Sequence, residues 1–276
     1  MDTRVDMVAC MEQQESSALS SDSSMKHFVL IHGLGHGAWC WYKVTPALRA
    51  AGHTVTALDL TSNGDNNKAS ADNISDIAQF VQPLTDFLAS YDDGKVILVG
   101  HSLGGSVISF AMEAYSERVE KAVFVAAFMP TNGQTLVPLR MFVAFSSLIL
   151  KRILIFKFGN SIFLPSSVSI NLDSAQVNFY DRSPPEDVNL ALARLNASPF
   201  RPLLRKLVLT EARYGSIPRI YIKATDDKII PASYQSSFVD RNPPAQVLTV
   251  PESDHSPFFS QPAALVDLLI SIATRI

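Results

Sequence analysis

Cysteine is nearly absent: the 276 residues carry only Cys10, in a polar N-terminal stretch, and Cys40, between two tryptophans. Two thiols so placed form neither a disulfide framework nor a metal-ligand cluster, and they suit a reducing compartment. Positive charge is also scarce, with 23 Lys and Arg against 26 Asp and Glu and a net charge of -3. Binding along a phosphate backbone needs a basic surface, which excludes nucleic acid as a partner. No uncharged apolar run approaches the roughly 20 residues of a membrane-spanning helix. The most apolar stretch, 136–158, is broken by Arg140, Lys151, Arg152 and Lys157. Residues 1–24 lack the apolar segment of a secretory signal, and Asp2, Asp6, Glu12, Glu15 and Asp22 oppose the basic character of an organellar transit peptide. They read as a disordered, serine-rich extension of a cytoplasmic protein. Serine enrichment keeps chloroplast import open as the alternative.

What is present is a hydrophobic content of 47%, enough for one substantial core in residues 25–276. Apolar runs of strand length at 27–32, 54–58, 95–99, 120–126, 219–224 and 246–250 alternate with helical patterns at 38–51, 74–90, 102–115, 232–240 and 263–274. Such alternation implies an α/β fold, a mostly parallel central sheet with helices on both faces and reactive groups at the carboxyl ends of the strands. The interval of about 131–185 breaks the pattern and has no acidic residue from Gln134 through Leu172. It reads as an inserted cap over an apolar pocket, with a basic amphipathic membrane-surface helix as the alternative.

The sharpest signal is Val-Ile-Leu-Val-Gly-His-Ser-Leu-Gly-Gly at 96–105. An apolar strand feeding Gly-x-Ser-x-Gly at the start of a helix is the nucleophile-elbow pattern, with Ser102 as the candidate nucleophile. A serine hydroxyl needs a base, an orienting acid and an oxyanion site. His255 follows the last strand and is the candidate base. Asp227 follows the preceding strand and is preferred to its neighbour Asp226 as orienting acid, although either could cap the next helix. The order Ser, Asp, His is that of α/β-hydrolases. The backbone N–H groups of Leu34, in the glycine-rich loop after the first strand, and of Leu103, after the nucleophile, are the candidate oxyanion donors. Ser102 as a helix cap and His255 as a surface histidine are the bland rivals. His32, His36 and His101 read as turn and packing residues, and Trp39, Trp41 and Tyr42 as core anchors. Gly33, Gly35 and Gly37 are not followed by Lys-Ser or Lys-Thr, so no phosphate loop is present.

With those residues in place the chain resembles the plant methylesterase and hydroxynitrile lyase family of α/β-hydrolases. The resemblance covers nearly everything from Lys26 onward. Its specific segments are His-Phe-Val-Leu-Ile-His-Gly at 27–33, Ala-Trp-Cys-Trp-Tyr-Lys at 38–43, Ala-Leu-Asp-Leu at 57–60, the elbow, and Ser-Asp-His-Ser-Pro-Phe-Phe at 253–259. It implies Ser102, Asp227 and His255 as the triad, Leu34 and Leu103 as oxyanion donors, and no cofactor or metal. Lyases of this family carry lysine after the catalytic histidine and threonine after the first-strand histidine. Here those positions are Ser256 and Gly33. The resemblance therefore implies a carboxylesterase acting on a small-molecule methyl ester, from the branch whose substrates include methyl indole-3-acetate, methyl jasmonate and methyl salicylate. A hormone-binding sensor with slow hydrolysis and a hydroxynitrile lyase are the alternative readings, and a homodimer is left open.

Overall fold

Phe28, Val29, Leu30 and Ile31 are all fully buried, which a strand permits only where both faces of its sheet are covered. Val29 and Ile31 belong to one apolar cluster, Phe28 and Leu30 to the other. The computed structural model describes residues 25–138, 150–159 and 162–274. The extension 1–24, Arg140 and much of the 136–158 run lie outside the described residues.

The described strands are β1 (His27–Ile31), β2 (Thr54–Leu58), β3 (Val96–His101), β4 (Val119–Val125), β5 (Leu154–Lys157), β6 (Ser167–Ile170), β7 (Ser198–Pro199), β8 (Arg219–Ala224) and β9 (Gln246–Val250). Six of them form one sheet in the order β2-β1-β3-β4-β8-β9, with every pairing parallel. The chain therefore has the α/β-hydrolase type of sheet. Helices Ile77–Ser90 and Gly104–Ala114 bury Phe80, Leu84, Val107 and Ile108 on one face; Val44–Ala50 and Pro262–Thr274 bury Leu48, Leu265 and Leu269 on the other. Each fully buried Leu or Phe is worth about 1.5–3 kcal/mol.

Three helical segments differ from the sequence pattern by more than one residue. The 38–51 segment divides into a 3-10 turn, Ala38–Trp41, and a helix, Val44–Ala50. Pro46 is the reason: it has no N–H for the carbonyl of Tyr42, so it fits the first turn of a helix but not its interior. The next helix starts at Ile77 because Asp76 caps it, accepting from Ala78 N–H at 2.7 Å. The helix after β3 starts at Gly104 because Ser102 is not helical.

Between β4 and β8 the chain leaves this sheet and builds an antiparallel one, β5-β6-β7, with helices Leu172–Phe179 and Pro185–Arg194. The composition break suggested 131–185 for the insertion, and the last strand of the second sheet comes from Ser198–Pro199. Asp187 and Asp72 are among the residues that tie this insertion to the core. Asp187 is fully buried and accepts from Lys43 Nζ and Tyr42 Oη, each at 2.5 Å. Asp72 accepts from Lys157 Nζ at 2.5 Å, Ser166 Oγ at 2.6 Å and Ser167 Oγ at 2.7 Å.

Hydrogen bonds from Lys157, Ser166 and Ser167 hold the Asp72 carboxyl down at about 2 from its usual 3.8. A depressed folded-state pKa adds stability above the unfolded value and loses it as pH falls through the folded one. Asp72→Asn is therefore expected to lower Tm at neutral pH, and its gap from wild type to close as pH falls from about 3.8 to about 2. Thermal melts of both proteins across that range provide the measurement.

Candidate active site

β1 lies between β2 and β3, so the winding reverses there, and the carboxyl ends of strands at such a switch point are where open α/β sheets place their sites. Ile31 pairs with Gly100, which sets the loop after β1 beside the turn that carries Ser102. That turn is enforced by sterics. A Cβ on Gly100 would stand 2.5 Å from Gly104 O, and one on Gly104 would stand 2.7 Å from Ile31 O, so only glycine lets the helix start this close to the sheet. Ser102 has φ +53°, the left-handed region that non-glycine residues adopt under constraint. Its N–H donates to Val125 O at 3.2 Å and its carbonyl accepts from Phe128 N–H at 3.1 Å, pinning the strained residue to the end of β4.

Ser102, Asp227 and His255 come together in one buried line, with exposures of 7%, 4% and 1%. His255 Nε2 is 3.0 Å from Ser102 Oγ and His255 Nδ1 is 2.8 Å from Asp227 Oδ2. A carboxylate only accepts, so the imidazole proton sits on Nδ1 and the Nε2 lone pair faces the serine hydroxyl. The other oxygen of Asp227 accepts from the N–H groups of Ile229 at 2.7 Å and Ile230 at 2.8 Å. Gln235 backs the same carboxylate: its Nε2 lies 3.4 Å from Asp227 Oδ2 while bonding Ile230 O at 2.7 Å. Asp226 points elsewhere and pairs with Arg182 at 2.5 Å. Asp254, fully buried, accepts from Arg182 N–H, Ser183 Oγ and Ser256 N–H. Burial raises the pKa of that carboxyl against the lowering effect of these bonds.

Leu103 follows Ser102 and leads into the helix Gly104–Ala114, at its positive end. A Cβ on Gly33 would lie 2.9 Å from Ser102 Cβ, so the backbone leading into Leu34 runs against the nucleophile. The other histidines of the region serve the framework. His32 donates from Nδ1 to Gly33 O at 2.8 Å and accepts from Leu60 N–H at 3.1 Å. His101 donates from Nε2 to His255 O at 2.7 Å, and burial pushes its pKa far down, so it stays neutral. His36 lies between Leu34 O and Tyr180 Oη. Among the described residues no group of three or more His, Cys, Asp or Glu side chains could hold a metal. Gln235, Tyr180 and Phe179, whose ring stands edge-on to His255 at 5.5 Å, had no local motif to reveal them.

The arrangement offers a hydroxyl with an adjacent proton acceptor, as acyl transfer requires. It makes one exchange decisive. In Asp227→Asn, the oxygen would keep the two backbone N–H bonds, and the amide nitrogen would donate to His255 Nδ1. The imidazole proton would then move to Nε2, leaving the serine without an acceptor. Any acyl transfer that depends on Ser102 is expected to slow roughly 10³–10⁴-fold, with Tm near that of wild type. Asp226→Asn, which loses a partly exposed ion pair, is expected to stay within about twofold. Steady-state assays of the two variants separate the carboxylates.

Comparison with known proteins agrees with this architecture. The Alpha/beta hydrolase family matches residues 28–268. Methylesterase 7 of Arabidopsis thaliana is 38% identical over 258 residues, covering 92% of this chain and 98% of its own length. Methyl jasmonate esterase 1 of Vitis vinifera is 38% identical over 257 residues, covering 90% of this chain and 96% of its own. Three longer Arabidopsis thaliana proteins, numbered 11, 15 and 13 in the methylesterase series and named chloroplastic, are 38–41% identical over 90–91% of the chain. This chain spans only 56–65% of their length. The crystal structure of the Arabidopsis methylesterase MES16 superimposes with a TM-score of 0.80 at 32% identity, covering 90% of this chain and 99% of that one. The chain belongs to the alpha/beta hydrolase family, among the relatives of the plant methylesterases.

Proposed function

We propose that the protein is a serine carboxylesterase that hydrolyses methyl esters of small hydrophobic carboxylic acids through an acyl-enzyme. The observation that carries this is the hydrogen-bonded line from Ser102 Oγ through His255 to Asp227, at 3.0 and 2.8 Å, beyond the carboxyl ends of β3, β8 and β9. Similarity to a protein named for methyl jasmonate points the acid side toward jasmonate, and the family resemblance of the sequence adds indole-3-acetate and salicylate as candidates.

In this mechanism Ser102 Oγ attacks the ester carbonyl as its proton passes to His255 Nε2. The N–H groups of Leu34 and Leu103 receive the oxyanion; one such donor is worth about 3 kcal/mol of transition-state stabilisation. Collapse of the tetrahedral adduct breaks the bond to methoxide, which takes the proton from His255 and leaves as methanol. Water then gives a proton to His255 and attacks the acyl carbon, and a second collapse releases the acid and restores Ser102. Asp227, held by Ile229 and Ile230, keeps the imidazole in the required tautomer and stabilises its charged form. Hydrolysis is favoured over cyanohydrin cleavage by two positions. Gly33 has no hydroxyl to offer beside Ser102, with which even a Cβ there would be in close contact at 2.9 Å, and Ser256 brings no positive charge.

The test is steady-state release of free acid from methyl jasmonate, methyl indole-3-acetate and methyl salicylate. Turnover of at least one ester is expected, with a loss of more than about 1000-fold in Ser102→Ala. An Ala variant as active as wild type, or no turnover beyond one equivalent on any ester, would sink the reading.

A further inference from the structure

The loop that carries Leu34 is held from outside the core. Tyr180 follows the helix Leu172–Phe179 of the insertion, is 1% exposed, and lies 2.8 Å through its hydroxyl from His36 Nε2. His36 Nδ1 lies 2.8 Å from Leu34 O. A carbonyl only accepts, so Nδ1 carries the imidazole proton, Nε2 is the lone pair, and the tyrosine O–H must be the donor. The relay thus runs in one direction, from Tyr180 through His36 to the carbonyl of Leu34. Burial brings the pKa of His36 down to about 3 and raises that of the Tyr180 phenol, so neither partner leaves the needed protonation state near neutral pH.

Other contacts tighten the same loop. Gly35 N–H, the far end of the Leu34–Gly35 peptide, donates to Ser198 Oγ at 2.9 Å, and Gly35 O accepts from Asn196 N–H at 2.9 Å. Gly33 O, which belongs to the same peptide plane as Leu34 N–H, accepts from His32 Nδ1 at 2.8 Å and from His36 N–H at 3.3 Å. His36 therefore anchors both peptides that flank Leu34, and its ring is oriented by Tyr180 and stacked on Trp39 at 5.4 Å.

We propose that Tyr180 is a positioning residue for the oxyanion site: through His36 it aims the Leu34 peptide, so that the insertion, and not the core alone, sets the geometry of the anion-binding N–H groups. The proposal rests on the esterase reading above. Oxyanion charge is absent from the bound ester and develops on the way to the tetrahedral adduct, so a misaimed donor lowers kcat while leaving ground-state binding almost intact. A residue that merely lines a pocket would do the reverse.

Tyr180→Phe keeps the ring and removes only the O–H. With p-nitrophenyl butyrate as probe, kcat is expected to fall about 10–100-fold, with KM within about twofold of wild type. Phenylboronic acid, which forms a tetrahedral adduct with an active serine, should lose affinity in parallel with kcat. Ser198→Ala, which frees the other end of the same peptide, should show the same selective loss of kcat and supplies the measurement if Tyr180→Phe does not fold. Unchanged kcat, or a raised KM with unchanged kcat, in a folded Tyr180→Phe whose Ser102→Ala counterpart is inactive would overturn this proposal alone. Wild-type turnover by Ser102→Ala would instead overturn the assignment of the nucleophile, and this proposal with it.

Discussion

The helix Gly104–Ala114 begins so near the ends of β1 and β3 that no side chain fits between them. From that contact the rest of the site's geometry descends. Because the helix starts there, Ser102 must turn through a left-handed conformation at φ +53°. Because Ser102 turns there, its backbone is tied to Val125 and Phe128 and its hydroxyl is aimed out of the sheet toward His255. Strain of this type costs on the order of 1–3 kcal/mol and persists only where its surroundings over-determine it. Here the surroundings are two strands buried on both faces and a helix seated against them.

Several polar groups around this point are buried and partnered in a consistent sense. Asp227 divides its two oxygens between backbone N–H groups and His255, so its orientation does not depend on the imidazole alone. His36 and His101 are kept neutral chiefly by burial, and each donates one ring proton to a backbone carbonyl of the site, Leu34 O and His255 O. Neutral histidines in such places add direction without adding charge. Under the proposed mechanism that matters, because His255 would become cationic during turnover and a second positive ring nearby would oppose its protonation. Asp254, next to His255 in sequence, holds the turn at Arg182 and Ser183. Asp226, next to Asp227, holds the Arg182 side chain. The neighbours of two site residues thus fasten the insertion to the core.

Much of the sheet was legible because its strands are short apolar runs closed by polar or glycine-containing turns: Thr54–Leu58, Arg219–Ala224 and Gln246–Val250 have the boundaries their sequences suggest. The segment 38–51 was not, since apolar spacing runs on from Ala38 to Ala51 while Pro46, with no N–H for the carbonyl of Tyr42, keeps one helix from spanning it. Composition marked the insertion but not its antiparallel sheet, whose strands β5 and β6 are four residues each, too few to establish a period. Within the site, Ser102 stands in a local motif and His255 follows a recognisable strand. The choice between Asp226 and Asp227 turns on Arg182 and on two backbone N–H groups, none of which spacing displays. Tyr180 meets His36 across 144 residues of sequence, and nothing near either one announces the other.

The sheet order carries a consequence for how the chain is made. Ser102 and its strained turn belong to the central strands β3 and β4, whereas His255 follows β9, the edge strand. Synthesis runs from the N-terminus, so the elbow and the strands that brace it leave the ribosome long before the base that serves it. Until β9 pairs with β8 and the loop after it closes under His101, Ser102 is an ordinary alcohol on an uncommon backbone. If Ser102 is the nucleophile proposed above, nascent chains would stay chemically silent, because its partner His255 arrives only with the last strand at the edge of the sheet.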